Sequence, residues 1–151
     1  MVFSLLDKIG EGEFAEIHIA IHRQSNREVA VKKVCRHHLV ESDVAALDDE
    51  IAVMRAVSGS MHVISLEEIY EDDEFTHLVM ERVYGSVLID KLMEKKRYTE
   101  GDAKDIIRNL LLGVHHCHSK RVAIRNLKLE SLLLVRVFEM YVLLDKSNFT
   151  R

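Results

Sequence analysis

Two glycines, a lysine and a glutamate in the first third of the chain have the types and spacing that bind a phosphate group. Gly10 and Gly12 interrupt an apolar segment, and missing side chains let backbone N–H groups approach a phosphate chain. Lys32 follows the apolar run Val-Ala-Val, where a buried charge needs an anionic partner. Glu50 is predicted on the apolar side of a helix, from which its carboxylate can reach that ammonium.

Each of these signals also has a structural interpretation. A Gly-x-Gly pair is common in an ordinary hairpin turn that binds nothing. Lys32 can lie on an edge strand with the aliphatic part of its side chain buried and its ammonium solvated, while Glu50 lies on a solvent-exposed helix face. Taken one at a time, the residues leave both interpretations open.

The elements that position these residues follow from apolar periodicity and turn signals. The first third predicts three antiparallel strands joined by short turns, at Val2–Ile9, Phe14–His22 and Arg27–Val34. An amphipathic helix is predicted over Ser42–Val57, with Ser42 and Asp43 suited to cap it. Two further strands, Val63–Tyr70 and Phe75–Val83, complete an α+β arrangement of a five-stranded antiparallel sheet and one helix.

The pattern from Val87 onward is mainly helical. A short helix is predicted to run through Lys96, and a long one to open at Thr99, where Asp102 completes a capping box. The residues predicted to form the buried stripe of the long helix are Ala103, Ile106, Ile107, Leu110, Leu111, Val114 and His118. Two apolar segments, Leu132–Val137 and Met140–Leu144, are predicted to pair as a small hairpin.

Composition excludes several classes of protein. The 151 residues carry a net charge of -4, with acids and bases interspersed, so we expect no nucleic-acid partner. No apolar run approaches the roughly 20 residues of a membrane-spanning helix. Two cysteines do not make a disulfide framework. A soluble, intracellular, cytoplasmic protein is expected. His115, His116 and His118 lie at the end of the long helix, where imidazoles interact favourably with the helix dipole. We therefore do not expect these histidines to form a metal cluster.

The order of these parts resembles the protein kinase signature set. After the glycine turn, the lysine strand and the helix glutamate come a hinge-like Met-Glu-Arg-Val at 80–83 and the segment Ile-Arg-Asn-Leu-Lys-Leu-Glu-Ser-Leu-Leu at 124–133. Three blocks are similar to the calcium/calmodulin-dependent serine/threonine kinases: Asp-Glu-Ile-Ala-Val-Met at 49–54, Leu-Glu-Glu-Ile-Tyr-Glu at 66–71 and Tyr-Thr-Glu-Gly-Asp-Ala at 98–103. The likeness covers nearly the whole chain.

The resemblance implies a kinase-like fold and ATP with Mg²⁺ as cofactors. Residues 1–83 would form the upper lobe with its glycine-rich loop and hinge, and residues 84–151 a partial lower lobe that ends just after the position of the magnesium-binding Asp-Phe-Gly motif. Lys32 would hold the phosphates and Glu50 would hold Lys32. The residues that the resemblance assigns to ATP are Ile9, Gly10, Gly12, Ile17, Ala30, Lys32, Glu50, Met80, Glu81, Val83 and Leu133.

The catalytic segment departs from the family pattern. Asn126 stands where the resemblance implies the aspartate that acts as general base, and Lys128 matches the basic residue beside it. An amide does not take a proton at neutral pH, and positioned bases contribute on the order of 10² to 10⁴ in rate. Ser131 replaces the magnesium-binding asparagine and would be a weak ligand. Magnesium would then be bound chiefly by Asp145.

Three hypotheses follow from this pattern. The first is a kinase-like protein that binds ATP, is catalytically impaired and acts by binding, as a pseudokinase. The second is a fragment of a serine/threonine kinase with residual phosphoryl transfer to protein serine or threonine. The third is a degenerate gene product without selected function. Because the family's later helices would follow Arg151, we also expect a protein partner or self-association to cover helix 100–119.

Overall fold

A computed structural model describes residues 2–12, 14–37, 39–94, 97–125, 127–136, 139–142 and 149–150. The strands are β1 (Phe3–Glu11), β2 (Ala15–His22), β3 (Glu28–Cys35), β4 (Leu66–Glu71), β5 (Phe75–Glu81), β6 (Ser86–Val87), β7 (Ala123–Ile124), β8 (Leu132–Arg136), β9 (Glu139–Val142) and β10 (Phe149–Thr150). The helices are α1 (Glu41–Val57), α2 (Leu88–Glu94) and α3 (Glu100–Ser119), and a 3-10 turn covers Leu129–Ser131.

The chain divides into two compact units. The first consists of Met1–Ala46 and Leu66–Arg82, and the second of Leu47–Ser65 and Val83–Arg151. The boundary falls inside α1, so that the two ends of this helix belong to different units. The predicted division into lobes at residue 83 stays a prediction.

The first unit is built on a five-stranded antiparallel sheet in the order β1-β2-β3-β5-β4. This confirms the predicted sheet, with strand ends displaced by at most three residues. The start of β4 is the largest displacement, because the strand begins at Leu66 whereas the apolar run begins at Val63. Val63 and Ile64 are buried outside the strand, so their apolar character reflects burial and not strand periodicity.

One face of this sheet carries the core of the first unit. The buried core residues are Phe3, Ala20, Val29, Val31 and Val79, with Leu5 and Tyr70 packed against them. The Phe3 ring meets the Tyr70 ring edge to face, with 5.7 Å between centroids. Because successive side chains of a strand point to opposite faces, the residues between these positions face the other side of the sheet.

The second unit combines helices with short strands. β8 and β9 form the predicted hairpin, and β6 adds a third strand beside β8. The pair β7–β10 was not predicted, because two-residue strands leave no periodicity in the sequence. His116 hydrogen-bonds the Val57 carbonyl through Nε2 at 2.9 Å and so connects α3 to the end of α1. Among the described residues, no helix is long and apolar enough to cross a membrane.

The long helix begins as predicted, but its buried side differs. Thr99 is the N-cap, and the Asp102 N–H donates to the Thr99 Oγ1 while Asp102 Oδ2 accepts from the Thr99 N–H, both at 3.1 Å. The buried residues are Ile106, Asn109, Gly113 and Cys117. Of the predicted stripe, Ala103, Ile107, Leu111 and His118 are exposed. The prediction is confirmed for Ile106 and wrong for these four residues, because small and polar residues line the rest of the buried side and leave large apolar residues outside.

The start of α1 also differs slightly from the prediction. The helix begins at Glu41, one residue before the predicted cap at Ser42. Asp43 lies within the first turn, where its carboxylate accepts from the Val40 N–H at 3.3 Å. Asp43 therefore still supports the helix start, from inside the helix.

Candidate functional site

A row of cross-strand neighbours in the first unit contains three of the predicted site residues. Gly10 on β1 lies opposite Ile17 on β2, and Ile17 lies opposite Lys32 on β3. Lys32 in turn lies opposite Leu78 on β5. Directly opposed residues of antiparallel strands share a face. The glycine, the isoleucine and the lysine therefore occupy one face of the sheet.

Two more predicted site residues, Ala30 and Met80, lie on the same face, two residues away from Lys32 and Leu78 along their strands. Ala30 precedes Lys32 by two residues and lies opposite Met80. Since Val29, Val31 and Val79 belong to the core on the other face, Ile17, Ala30, Lys32 and Met80 lie on the side of the sheet away from that core. Leu78 was not predicted as a site residue, although the alternation of β5 indicates that it shares the face of Met80.

Lys33 shows how strictly the two faces are separated. Its ammonium lies over the Phe75 ring, 3.7 Å from the centroid. The neighbouring Lys32 points to the opposite face and is only half-buried. The chain therefore offers two adjacent lysines, of which only one lies on the face of the glycine row.

The glycine turn closes on its own backbone. The Gly12 N–H donates to the Ala15 carbonyl at 2.7 Å, so this amide is engaged inside the turn. A Cβ on Gly12 would meet only that carbonyl oxygen, at 3.7 Å, whereas one on Gly10 would meet the Ile17 side chain at 3.4 Å. Gly12 thus leaves space above the turn. Ile9 is exposed, next to the register shift before Gly10.

Charged residues beside this turn pair with each other. The Lys8 ammonium lies 2.9 Å from Glu11 and 3.1 Å from Glu16, and His18 Nε2 lies 3.2 Å from the other Glu16 oxygen. The hydrogen bond from His18 and then that from Lys8 lower the pKa of Glu16, while Glu11 and Glu16 raise the pKa of Lys8. Both acids therefore already have cationic neighbours or hydrogen-bond donors.

The remaining predicted residues for ATP are divided between the units. Glu81 ends β5 opposite Val29 in the first unit. Glu50 belongs to the second unit, where its side chain is 2% exposed. A buried carboxylate must be compensated by hydrogen bonds or an opposite charge. Val83 is buried, and Leu133 lies on β8 opposite Val87. The pairing of Lys32 with Glu50 stays a prediction.

The segment after β7 contains a locally closed turn. The Ser131 hydroxyl donates to the Lys128 carbonyl at 2.8 Å and accepts from the Lys128 N–H at 3.3 Å. Ser131 is 5% exposed, whereas the Lys128 side chain is exposed. Sequence reasoning missed this role, although serine commonly bonds nearby backbone groups. Asn126 and Asp145 lie outside the described residues, so their predicted roles stay predictions.

The predicted magnesium site rests chiefly on Asp145, which lies outside the described residues. Within the described residues, no three His, Cys, Asp or Glu side chains lie together as metal ligands. The Ser131 hydroxyl donates its proton to the Lys128 carbonyl, and the residue is buried. The predicted weak ligation of magnesium by Ser131 stays a prediction, and we derive no step through the metal.

Comparison with known proteins identifies the family. The family model described as the protein kinase domain matches residues 3–143, which is most of the chain. The chain belongs to the protein kinase domain family. This result confirms the resemblance noted from the sequence and agrees with the five-stranded sheet of the kinase domain's first part.

The relatives of this kinase domain include calcium-dependent enzymes. Calcium/calmodulin-dependent protein kinase type 1B of Rattus norvegicus is 36% identical over 138 residues, which cover 91% of this chain and 40% of the relative. Calcium-dependent protein kinase 10 of Oryza sativa subsp. japonica is 36% identical over 132 residues, which cover 87% of this chain and 22% of the relative. The chain thus spans less than half the length of these relatives.

Proposed function

We propose that this protein kinase domain binds ATP, transfers phosphate poorly and acts by binding. The observation that carries the proposal is the placement of Gly10, Ile17, Ala30, Lys32 and Met80 on one face of the sheet, opposite the apolar core. A lysine within such a row is well placed for phosphate oxygens, because apolar neighbours reduce the competition from water. The apolar members of the row can cover a flat aromatic base.

The residues divide into those for the phosphates and those for the base. Lys32 would hold the phosphates, and Glu50 would orient Lys32. Gly12 would keep the space above the turn free of a side chain, which agrees with the open surroundings of its Cα. Ile17 and Ala30 would cover one side of the adenine. The main-chain groups of Glu81 and Val83 would hydrogen-bond the adenine edge, with Met80 behind it and Leu133 beneath.

The impaired transfer rests on the residues of the catalytic segment. Asn126 is an amide and does not accept the proton of a substrate hydroxyl at neutral pH, which removes a contribution on the order of 10² to 10⁴ in rate. Lys128 is retained beside it. Ser131 replaces the magnesium-binding asparagine that the family pattern implies, and its hydroxyl is bonded to the Lys128 backbone. Nucleotide affinity and turnover are therefore expected to be separable properties.

The test uses the two adjacent lysines of β3. The melting temperature of the purified chain is measured with ATP at increasing concentration, with and without Mg²⁺. Ligand that binds only the folded state raises stability by RT ln(1 + [L]/Kd), about 2.7 kcal/mol at 100 times Kd. We expect ATP to raise the melting temperature of the native chain and of Lys33→Ala, but not of Lys32→Ala. Absence of a shift at millimolar ATP contradicts the proposal.

A second candidate is residual phosphoryl transfer to protein serine or threonine. The ordered turn that holds the backbone of Lys128 favours it, because one basic residue of the catalytic segment is still positioned. The measurement is transfer of labelled γ-phosphate to a basic peptide mixture in the presence of Mg²⁺. Turnover that disappears in Lys32→Ala and increases in Asn126→Asp would favour this candidate over the binding function.

A binding function also needs a surface on which a partner rests. We propose that α3 supplies it, because three large apolar side chains of this helix are exposed: Ile107, Leu111 and Leu112. Contiguous exposed apolar groups on a folded protein usually mark an interaction site.

A further inference from the structure

Lys32 lies in a row of residues that crosses all five strands of the first unit. The row runs from Gly10 on β1 through Ile17 on β2, Lys32 on β3 and Leu78 on β5 to Ile69 on β4. Its other four members are uncharged. Directly opposed residues of antiparallel strands share a face, with about 4.5–5.5 Å between their Cβ atoms. The Lys32 side chain therefore lies between those of Ile17 and Leu78.

The two neighbours of Lys32 in this row differ in burial. Leu78 is among the largest fully buried side chains of the described residues, whereas Ile17 and Lys32 are half-buried. Close packing on all sides holds a fully buried leucine in one rotamer. Leu78 is therefore the fixed neighbour, against which the aliphatic part of the lysine lies.

The sheet acts on the aliphatic part of Lys32 and not on its charge. Ala30 and Val34 lie two residues away on β3, and Met80 and Thr76 lie opposite them on β5. None of these four side chains is charged. Lysine commonly buries its aliphatic part against apolar neighbours while the ammonium extends beyond them. The anionic groups that the ammonium binds therefore lie outside this face of the sheet, which agrees with the proposed binding of phosphate.

We infer that Leu78 is a positioning residue, which holds the aliphatic part of Lys32 so that the ammonium points toward the bound phosphates. The inference rests on the proposed binding of ATP by Lys32. A lysine side chain is long and flexible, and it loses conformational freedom when its ammonium binds an anion. Contact with a fixed neighbour removes part of that freedom before the nucleotide binds, and such preorganisation strengthens binding.

The first measurement is the rate at which a small water-soluble acetylating reagent modifies Lys32 in the absence of nucleotide. Mass spectrometric fragmentation separates Lys32 from Lys33, and the exposed Lys120 is the reference. Leu78→Ala should raise the rate at Lys32 relative to Lys120 several-fold, because the lysine gains solvent contact and freedom. Leu78→Met should leave this ratio near its native value, because a side chain of similar volume restores the contact.

Val79→Ala is the matched control for the loss of a buried side chain. Val79 follows Leu78 on β5, is 1% exposed and belongs to the core on the other face of the sheet. Its truncation also leaves a cavity in the first unit and should lower stability, but it should not change the acetylation ratio of Lys32. Each variant is measured at a temperature at which circular dichroism shows that it is folded.

The second measurement is the dissociation constant of ATP for the same variants. Ordering one long side chain on binding corresponds to a factor of about 2 to 12 in affinity. Leu78→Ala should therefore weaken ATP binding by about threefold to tenfold. Leu78→Met and Val79→Ala should bind ATP as the native chain does.

Two results would overturn the inference. One is an acetylation rate at Lys32 that Leu78→Ala does not change. The other is an equal effect of Leu78→Ala and Val79→Ala on either measurement, which would indicate a general loosening of the sheet. A native chain that binds no ATP contradicts the proposed function instead. The acetylation rates are measured without nucleotide, so they still decide whether Leu78 holds Lys32, and the two failures are distinguishable.

Discussion

The Ser131 hydroxyl bonds both backbone groups of Lys128, donating to its carbonyl at 2.8 Å and accepting from its N–H at 3.3 Å. These bonds close the 3-10 turn that follows the predicted catalytic asparagine. Ser131→Ala removes both and leaves the Lys128 N–H without this partner, whereas the Lys128 carbonyl still accepts from the Ser131 N–H at 3.0 Å. We expect a loss of about 1–2 kcal/mol in the free energy of unfolding, measured by urea denaturation.

A matched serine provides the control for this prediction. The Ser119 hydroxyl also donates to a carbonyl three residues earlier, that of His116 at 2.7 Å, but at the exposed end of α3. Because water can replace that bond, Ser119→Ala should change stability by less than about 0.5 kcal/mol. Equal losses in the two variants would contradict the assignment of Ser131 as the residue that holds the turn.

Gly85 lies against the backbone of β8. A Cβ at this position would be 2.8 Å from the Leu134 carbonyl oxygen, closer than real contacts of this kind. Gly85→Ala should therefore push β6 away from β8 and destabilise the second unit by roughly 1–3 kcal/mol. Gly101→Ala is the control, since its Cβ would meet nothing closer than Thr99 Oγ1 at 3.6 Å. That change should stabilise α3 by up to about 1 kcal/mol. A loss of stability in both variants would argue against the close contact at β8.

The capping box of α3 makes a separate prediction. Thr99 and Asp102 exchange hydrogen bonds between side chain and backbone at the first turn. Thr99→Ala should cost about 1 kcal/mol and reduce the helical circular dichroism signal near the transition, whereas Thr99→Ser keeps the oxygen and should cost far less. If serine proves as harmful as alanine, the methyl group and not the cap is what stabilises this helix start.

Asp72 predicts a pH dependence of stability. Its carboxylate accepts from the Phe75 N–H at 2.7 Å, the Glu74 N–H at 3.0 Å and His77 Nε2 at 3.2 Å. These bonds, that of Phe75 first, lower the pKa of Asp72 below its ordinary value of 3.8. A depressed pKa gives stability that is present above 3.8 and is lost as the pH falls through the folded value.

The measurement for Asp72 is the free energy of unfolding from about pH 2 to 6 for the native chain and for Asp72→Asn. The native chain should be the more stable above pH 4, and the difference should shrink as the pH falls. Asp73→Asn is the control, because Asp73 makes no hydrogen bond or ion pair in the part of the chain that the structure describes. A difference that does not vary with pH would refute this role of Asp72.

The sequence by itself determined most of the first unit. Alternating or clustered apolar residues between turn signals specify β1, β2, β3 and β5, although β5 is buried on both faces from Thr76 to Met80. The alternation of side chains along a strand places Lys32 on one face and Lys33 on the other. The capping box at Thr99 was equally local, since both of its bonds join residues within one turn. Local signals of this kind do not depend on what the rest of the chain does.

Tertiary structure decided the features that depend on distant neighbours. The buried side of α3 follows Asn109 and Gly113, which no hydrophobic pattern would choose, because close packing selects small residues there. The cross-strand register that aligns Gly10, Ile17 and Lys32 is set by pairing between strands, and the close contact of Gly85 with β8 joins residues about fifty positions apart. Apolar periodicity in the sequence shows that a helix has a buried face, but only the packing of the folded chain shows which residues form that face.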